Sequence, residues 1–355
     1  MPMIFTTLLA LAQGPTTTLA THAAPAKGGF AIAVSKTLTG VHPISMATGP
    51  LGHQVALGME DTTIRIVDAA TRVTQKTLTG HKTTIQAIAW SPNGRWLASG
   101  DEKANIYLWD TKTWTKVKNL TGHTRPIQAL SFNNASTQLI STGQDDVVKV
   151  WDLANLSREK MSLQGGGANF YGARFIGKSN DFAMATLQQG ARLYTAQKTM
   201  RGWLTGHGGQ GTMFVDFNPS ATMAVTAGRD NNASLFDMKT MNRIGSLKGH
   251  TDWVMAAVFA PNGKWVATSS TDRTVKIWDV KSLAPVLDLP DQKAVGSPLL
   301  FTADGKYMLS VDISDNLVIH TLNPAQTPSA SAAASKAASP KKGKAKGRTV
   351  RRKGG

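Results

Sequence analysis

The sequence predicts an all-β chain of seven repeated units whose two ends share the last unit. Three observations carry this: a period of 42 or 43 residues, apolar and polar residues alternating within each period with no helical stretch, and a spare strand ahead of the first unit. Length alone is neutral, since 355 residues fit one large all-β domain or two or three smaller ones.

The period is read from strand ends. IYLWD ending at Asp110, VKVWD ending at Asp152 and VKIWD ending at Asp279 are alternating strands closed by Trp-Asp. Looser copies fill the gaps: IRIVD ending at Asp68, ARLYT ending at Thr195, ASLFD ending at Asp237 and LVIHTL ending at Leu322. The penultimate positions are Val67, Trp109, Trp151, Tyr194, Phe236, Trp278 and Thr321, at intervals of 42, 42, 43, 42, 42 and 43. A second landmark keeps the register, an aromatic that ends a strand and leads into a turn: Trp90, Phe132, Phe175, Phe217, Phe259 and Phe301. Five of these six stand nineteen residues before their marker, and the seventh unit reads as one residue longer. Within a unit the pattern is strand, polar turn, strand (RWLAS, KWVAT, KYMLS), turn, strand.

Gly-His pairs at Gly80-His81, Gly122-His123, Gly206-His207 and Gly249-His250 precede their markers by 28 or 29 residues. With the Trp-Asp strand ends, they make the stretch from about Gly28 to Leu322 resemble the WD40 family. The resemblance implies a seven-bladed β-propeller, each blade a four-stranded antiparallel sheet around a central channel. Counting from the landmarks, the last unit supplies only three strands, and residues 30–38 (FAIAVSKTL) supply its fourth, which closes the ring and removes an open edge.

Two units carry a full polar set: His123, Ser141, Asp145 and Trp151, and His250, Thr268, Asp272 and Trp278. His, Ser and Asp at fixed spacing suggest a hydrolase triad, but an active site occurs once and these residues recur with the period. The resemblance implies instead a buried chain in which Asp accepts from His, His bonds the hydroxyl and the indole completes the set. In the set of His207, Thr226 and Asp230, Phe236 replaces the indole. Lys103 stands where the acid is expected beside His81, Ser99 and Trp109, and Asp101-Glu102 reads as a solvated turn. Units one, four and seven keep little of the set, with Gln188 in place of the acid of unit four. Degenerate units read as drift in stability, or as a face reshaped for a partner at Lys103 and Gly165-Gly166-Gly167.

Residues 172–179 (GARFIGKS) fit the P-loop pattern by letter, but Phe175 is a strand-end aromatic and an alternating strand follows where the phosphate cradle needs a helix N-terminus. The absence of cysteine excludes disulfide scaffolds, cysteine-held metal centres and thiol enzymes, while 41% hydrophobic residues exclude a wholly disordered chain. No cofactor or metal is expected.

The ends differ from the middle. Residues 1–12 form an apolar run ending in Ala10-Leu11-Ala12, a small-x-small site with no basic residue before it. This reads as a short signal peptide, giving export to the periplasm or cell surface, or else as an apolar start on a cytoplasmic chain; residues 1–27 as a whole form this start and a linker. Residues 323–355 are rich in Pro, Ala, Ser and Lys, with too little apolar surface to offset their ordering entropy, and read as a disordered tail. Lys336, Lys341, Lys342, Lys344, Lys346, Arg348, Arg351, Arg352 and Lys353 supply nine of the seventeen net positive charges, leaving +8 on the rest.

Function is therefore expected on surfaces: a non-enzymatic scaffold for protein-protein interaction, monomeric within a complex. The resemblance places peptide or protein partners on the face carrying the Gly-His loops, which here includes Lys82, Lys103, Arg125, Asn169, Arg229, Trp253 and Arg273. Trp253 is the expected anchor, its alternative role being to cap its own blade, and the bases favour an acidic partner. Lys341, Lys342, Lys344, Lys346, Arg348, Arg351, Arg352 and Lys353 would bind a polyanion. In the competing reading, the tail is the main binder of DNA or RNA, Ser339-Pro340-Lys341-Lys342 resembling linker-histone repeats, and the propeller recruits a partner. On export the tail would meet an envelope polymer or lipid headgroup instead. Deleting residues 30–38 should unfold the domain; an unchanged melting temperature in the truncated chain would sink the closed-ring topology.

Overall fold

Short runs of Val, Ile, Leu and aromatic residues at alternate positions, cut by tight polar turns, form pleated surfaces with two apolar faces. The computed structural model describes residues 17–20, 30–50, 52–154, 159–165, 167, 170–188, 190–293 and 298–323, and among these it contains strands and no helix. The apolar start, Asn169 and the basic tail fall outside them.

Seven antiparallel sheets form the propeller. The first blade runs from its innermost strand Pro43–Thr48 through Gln54–Met59 and Ile64–Asp68 to its outer strand Thr74–Leu78. The next five repeat this order, beginning at Ile85–Trp90, Ile127–Phe132, Phe170–Phe175, Thr212–Phe217 and Val254–Phe259. Innermost strands abut their neighbours around the channel, and Leu300–Phe301 of blade seven meets Pro43–Thr48 of blade one. Second strands such as Gln138–Gly143 are buried along their whole length because each blade lies between two others, whereas the outer strand Thr115–Leu120 buries only Leu120. The turn between the innermost and second strands needs one residue at positive φ. Glycine fills it in blades one, two, six and seven (Gly52, Gly94, Gly263 and Gly305), while Ser136 and Ala221 fill it in blades three and five at φ 58° and 52°.

Blade seven joins the two ends of the chain. Ile32–Leu38 pairs antiparallel with Leu317–Leu322, setting Ile32 opposite Leu322 and Leu38 opposite Leu317. Phe30 packs edge-on against Trp265 of blade six at 5.6 Å and near Phe301 at 6.5 Å, so the closing strand also ties neighbouring blades. Within the expected N-terminal linker, Thr17–Ala20 forms a fifth strand on this sheet, with Thr17 opposite Leu38 and Ala20 opposite Ser35. Its sequence TTLA has no apolar alternation; what places it is the open backbone edge of the strand beside it.

One register differs from the sequence reading. Met308 pairs with His320 as Val266 pairs with Trp278, so the seventh marker is His320 rather than Thr321. The unit then has no extra residue, and its aromatic Phe301 stands nineteen residues ahead of it like the other five. His320 takes the place of the indole: one ring nitrogen bonds the Ser310 hydroxyl at 2.8 Å, as Trp278 bonds Thr268, and the other bonds Ser35 of the closing strand at 2.7 Å. This chain of three side chains crosses the seam between the two ends.

Burial pushes His320 down to about 4, so the ring is neutral in the folded protein. An unfolded chain takes up that proton from about pH 6.5 downward, and the stability tied to the neutral ring is therefore full above that pH and lost progressively as pH falls to about 4. In urea titrations His320→Gln should cost about 1–3 kcal/mol at neutral pH and reduce the loss of stability between those two pH values. An unchanged pH slope in the variant would remove the seam from this account.

Candidate interaction face

The Gly-His loops precede the innermost strands, and the turns bearing the acids join second to third strands, so both crowd one end of the channel. In blade three, His123 Nδ1 lies 2.9 Å from Asp145, its Nε2 lies 2.8 Å from Ser141, and the Trp151 indole donates to the same hydroxyl at 2.9 Å. Blade six repeats this: His250 to Asp272 at 2.8 Å, to Thr268 at 2.7 Å, with Trp278 donating at 2.8 Å. One proton arrangement satisfies every group: Nδ1–H donates to the carboxylate, Nε2 accepts from the hydroxyl, and the hydroxyl oxygen accepts from the indole. Burial pushes His123 and His250 below the usual imidazole range against the pull of their carboxylates, consistent with neutral rings.

Each acid also fixes backbone. Asp145 accepts the amide of Thr124 at 2.9 Å, and Asp272 those of Thr251 and Thr274 at 3.0 and 2.9 Å. Burial works to raise Asp272, but these amides with His250 and the Thr274 hydroxyl outweigh it and hold the carboxyl below its ordinary range. The chain thus clamps the two loops of each blade that present its exposed side chains. Read as catalytic triads, the sets fail on access: Ser141 and Thr268 are fully buried, and an indole occupies each hydroxyl oxygen.

In blade two the acid is Asp101, not a residue at Lys103. Asp101 is 1% exposed, lies 2.8 Å from His81, and completes a set with Ser99 and Trp109 at 2.6 and 2.9 Å. Its other oxygen accepts the amides of Lys103 and Asn105, so Lys103 is the exposed tip of a turn that Asp101 organises. Burial works to raise Asp101, but His81 and Asn105 together hold it low. The spacing Asp101…Asn105 recurs as Asp312…Asn316, where Asp312 accepts the amide of Asn316 at 2.9 Å, and that repeat was the available signal. In blade five, His207 meets Asp230 at 2.7 Å and Thr226 at 2.8 Å, with Phe236 packed in the indole's place.

Of the surface residues read from the sequence, two come together. The Arg229 guanidinium of blade five lies over the Trp253 ring of blade six, 3.9 Å from its centroid. Trp253 is 39% exposed, so it lies under a neighbour's arginine at the surface rather than capping its own blade. Its amide donates to Asp252 at 2.7 Å and its carbonyl accepts from Thr271 at 2.9 Å, which fixes the ring's base. Lys82, Lys103, Arg125 and Arg273 are exposed around the same face on other blades. A cleft of about 490 Å³ lined by Thr205, Gly206, Gly208, Gly209 and Arg243 opens beside blade five. Among the described residues, no group of three or more His, Asp and Glu side chains could hold a metal ion. The segment with P-loop spelling is a strand end and a turn followed by the strand Phe182–Thr186.

A family model described as WD domain, G-beta repeat matches residues 72–110, 114–152, 198–237 and 241–279. These are the units with a histidine set, ending at the third strands of blades two, three, five and six. Among curated proteins, mouse pre-mRNA-processing factor 19 is 35% identical over 28% of this chain and 20% of its own length. Human WD repeat-containing protein 37 is 35% identical over 26% of this chain and 19% of its own, and human apoptotic protease-activating factor 1 is 30% identical over 20% and 6%. This chain thus spans about a fifth or less of the length of these relatives.

Replacing Asp101 by Ala should cost about 1–3 kcal/mol by stranding His81 and two turn amides, whereas Lys103→Ala should stay within about 0.5 kcal/mol; equal losses in chemical unfolding would reject the assignment of the acid. Four matched repeats, the histidine sets in those repeats and seven blades around a channel show that this chain carries WD40 repeats in a seven-bladed β-propeller.

Proposed function

We propose that the protein is a non-enzymatic scaffold that binds an acidic protein or peptide on the Gly-His face and attaches to a polyanion through its basic tail. A WD40 propeller is typically an interaction scaffold, and the similarity to WD-repeat proteins supports that role for this chain.

The Arg229–Trp253 pair carries the reading. A guanidinium stacked on an indole keeps its edge N–H groups free for a carboxylate while the ring offers apolar area beside them. The pair is prepared before a ligand arrives, because Asp252 and Thr271 hold Trp253 and the His250 set clamps the loop that carries it. Arg125, Lys82 and Arg273 would speed the encounter with an acidic partner more than they would tighten the complex. Four acids of this face are committed to its framework: Asp101, Asp145, Asp230 and Asp272 each face a histidine.

The tail bases Lys341 to Lys353 add a salt-sensitive attachment by counterion release. An intact mass beginning at Gln13 would assign the protein to an exported compartment and direct the tail to an envelope polyanion instead of nucleic acid. Affinity capture should be run with the full chain, a chain ending at Asn323 and full-length Trp253→Ala, each with and without nuclease. The first two should hold the same nuclease-resistant protein and the third should lose it. If only tail-bearing chains retain material, and nuclease releases it, the tail is the functional element and the scaffold reading is wrong.

A further inference from the structure

The face opposite the Gly-His loops carries a ring of cations produced by its turn chemistry. Where third and outer strands join, an aspartate turns its carboxylate inward onto backbone amides: Asp110 accepts from Lys112 and Thr113, Asp237 from Lys239 and Thr240, and Asp279 from Ser282. The residue two positions on is thereby the tip of the turn, and in blades two, five and six it is Lys112, Lys239 and Lys281, all exposed. The turn between innermost and second strands adds Arg95, Lys178 and Lys264 in blades two, four and six, also exposed. Backbone bonds hold the two kinds of turn side by side, Thr111 to Arg95 at 3.0 Å and Val280 to Lys264 at 2.9 Å. The acids of this face are thus drawn into the turns while the bases project from them. Of the six bases, only Arg95 has an ion-pair partner among the described residues, Asp110 at 4.0 Å.

The chain leaves the propeller on this same face. Leu322 ends the third strand of blade seven with its amide on Lys306 of the neighbouring turn, and Asn323 bonds Ala31 at 3.0 Å. The 32 residues after Asn323, with nine bases and no acid, therefore start from the rim of the cationic ring. Exposed aliphatic side chains lie at that rim as well: Val73 ahead of the outer strand of blade one and Met200 at the start of that of blade four, 57% and 47% exposed.

We propose that this face docks flat on an anionic lipid surface, with the tail adding charge from its edge and the Gly-His face left turned outward for its partner. The tail's part in this rests on the polyanion reading above. Four features favour lipid over a nucleic acid. The bases sit at loop tips distributed over four blades, so they suit a plane, whereas a duplex would meet only a stripe of them. Five of the six are lysines, point charges suited to headgroups. Among the described residues, this face has no exposed aromatic side chain on which bases would stack. Val73 and Met200 can enter the headgroup region, as an amphipathic surface does.

The test uses the full chain and sedimentation with vesicles of neutral phosphatidylcholine, alone or with a third phosphatidylglycerol, at low and high salt. The parent should bind only the anionic vesicles and release at high salt. A variant carrying Lys112→Glu, Lys239→Glu, Lys264→Glu and Lys281→Glu, with an unchanged melting temperature, should bind about a hundredfold more weakly. A second variant with the eight bases from Lys341 to Lys353 replaced by serine should bind more weakly than the parent and lose further affinity on the four reversals. Parental affinity in the reversal variant would overturn the docking face while leaving the tail reading intact. Parental affinity in the serine variant, still sensitive to the reversals, would retain the face and remove the tail. A 30-base-pair DNA duplex bound more tightly than the vesicles, with the same sensitivity to the reversals, would assign the face to nucleic acid and overturn the lipid proposal.

Discussion

A ring of sheets is held only if its last member meets its first, and here that meeting is a backbone ladder between segments from opposite ends of the chain. Ile32–Leu38 supplies the outer strand of a blade whose other strands lie near residues 300 to 322. Without it, blade seven would present an unpaired edge, and Trp265 of blade six would lose the ring of Phe30 that packs on it. Once the ring is closed, the flatness and spacing of both end faces follow, since each loop leaves a sheet whose position its two neighbours fix. The seam is reinforced by a polar link where blades two, three and six have an indole: His320 bonds hydroxyls on either side, its ring kept neutral by burial.

The histidine sets work one level down from the ring. They do not join blades; they join two loops within a blade, by giving one carboxylate both an imidazole and backbone amides. A buried set of this kind stabilises only when every member is satisfied, and the four sets meet that condition in three chemical versions: an acid from the turn, an acid from the strand end, and a set without an indole. The tolerance has a limit in blade four, where no histidine set is present and Arg192 instead bonds the carbonyl of Gly165 and lies over Trp203.

The period, the propeller and the closing strand were legible because they depend on features that repeat along the chain: alternation, strand-end aromatics and turn residues. The misreadings arose where a role moved between residue types. Position in the strand points to Thr321 as the seventh marker, because it is penultimate, but packing selects the ring that reaches Ser310, which is His320. A constant spacing to Trp109 points to position 103 for the acid, whereas a carboxylate needs only to reach His81 and does so from Asp101, two residues earlier. The strand Thr17–Ala20 had no signal in its side chains, since it is placed by main-chain bonds. That Arg229 lies over Trp253 was equally invisible: the two are 24 residues apart on different blades, and only the packing angle between blades brings them together.

The seam also has a kinetic side. Ser35 and His320 are separated by 285 residues, so the contacts that complete blade seven are among the most non-local the chain can make. During synthesis six blades can assemble by pairing neighbouring segments, but the N-terminal strand must wait unpaired until nearly the whole chain has emerged. A high share of distant pairings slows folding and prolongs exposure of strand edges. Throughout that interval the waiting strand could complete blade seven of another chain as readily as its own. The same ladder that seals the mature ring thus makes crowding of nascent chains the step at which this propeller is most exposed to misassembly.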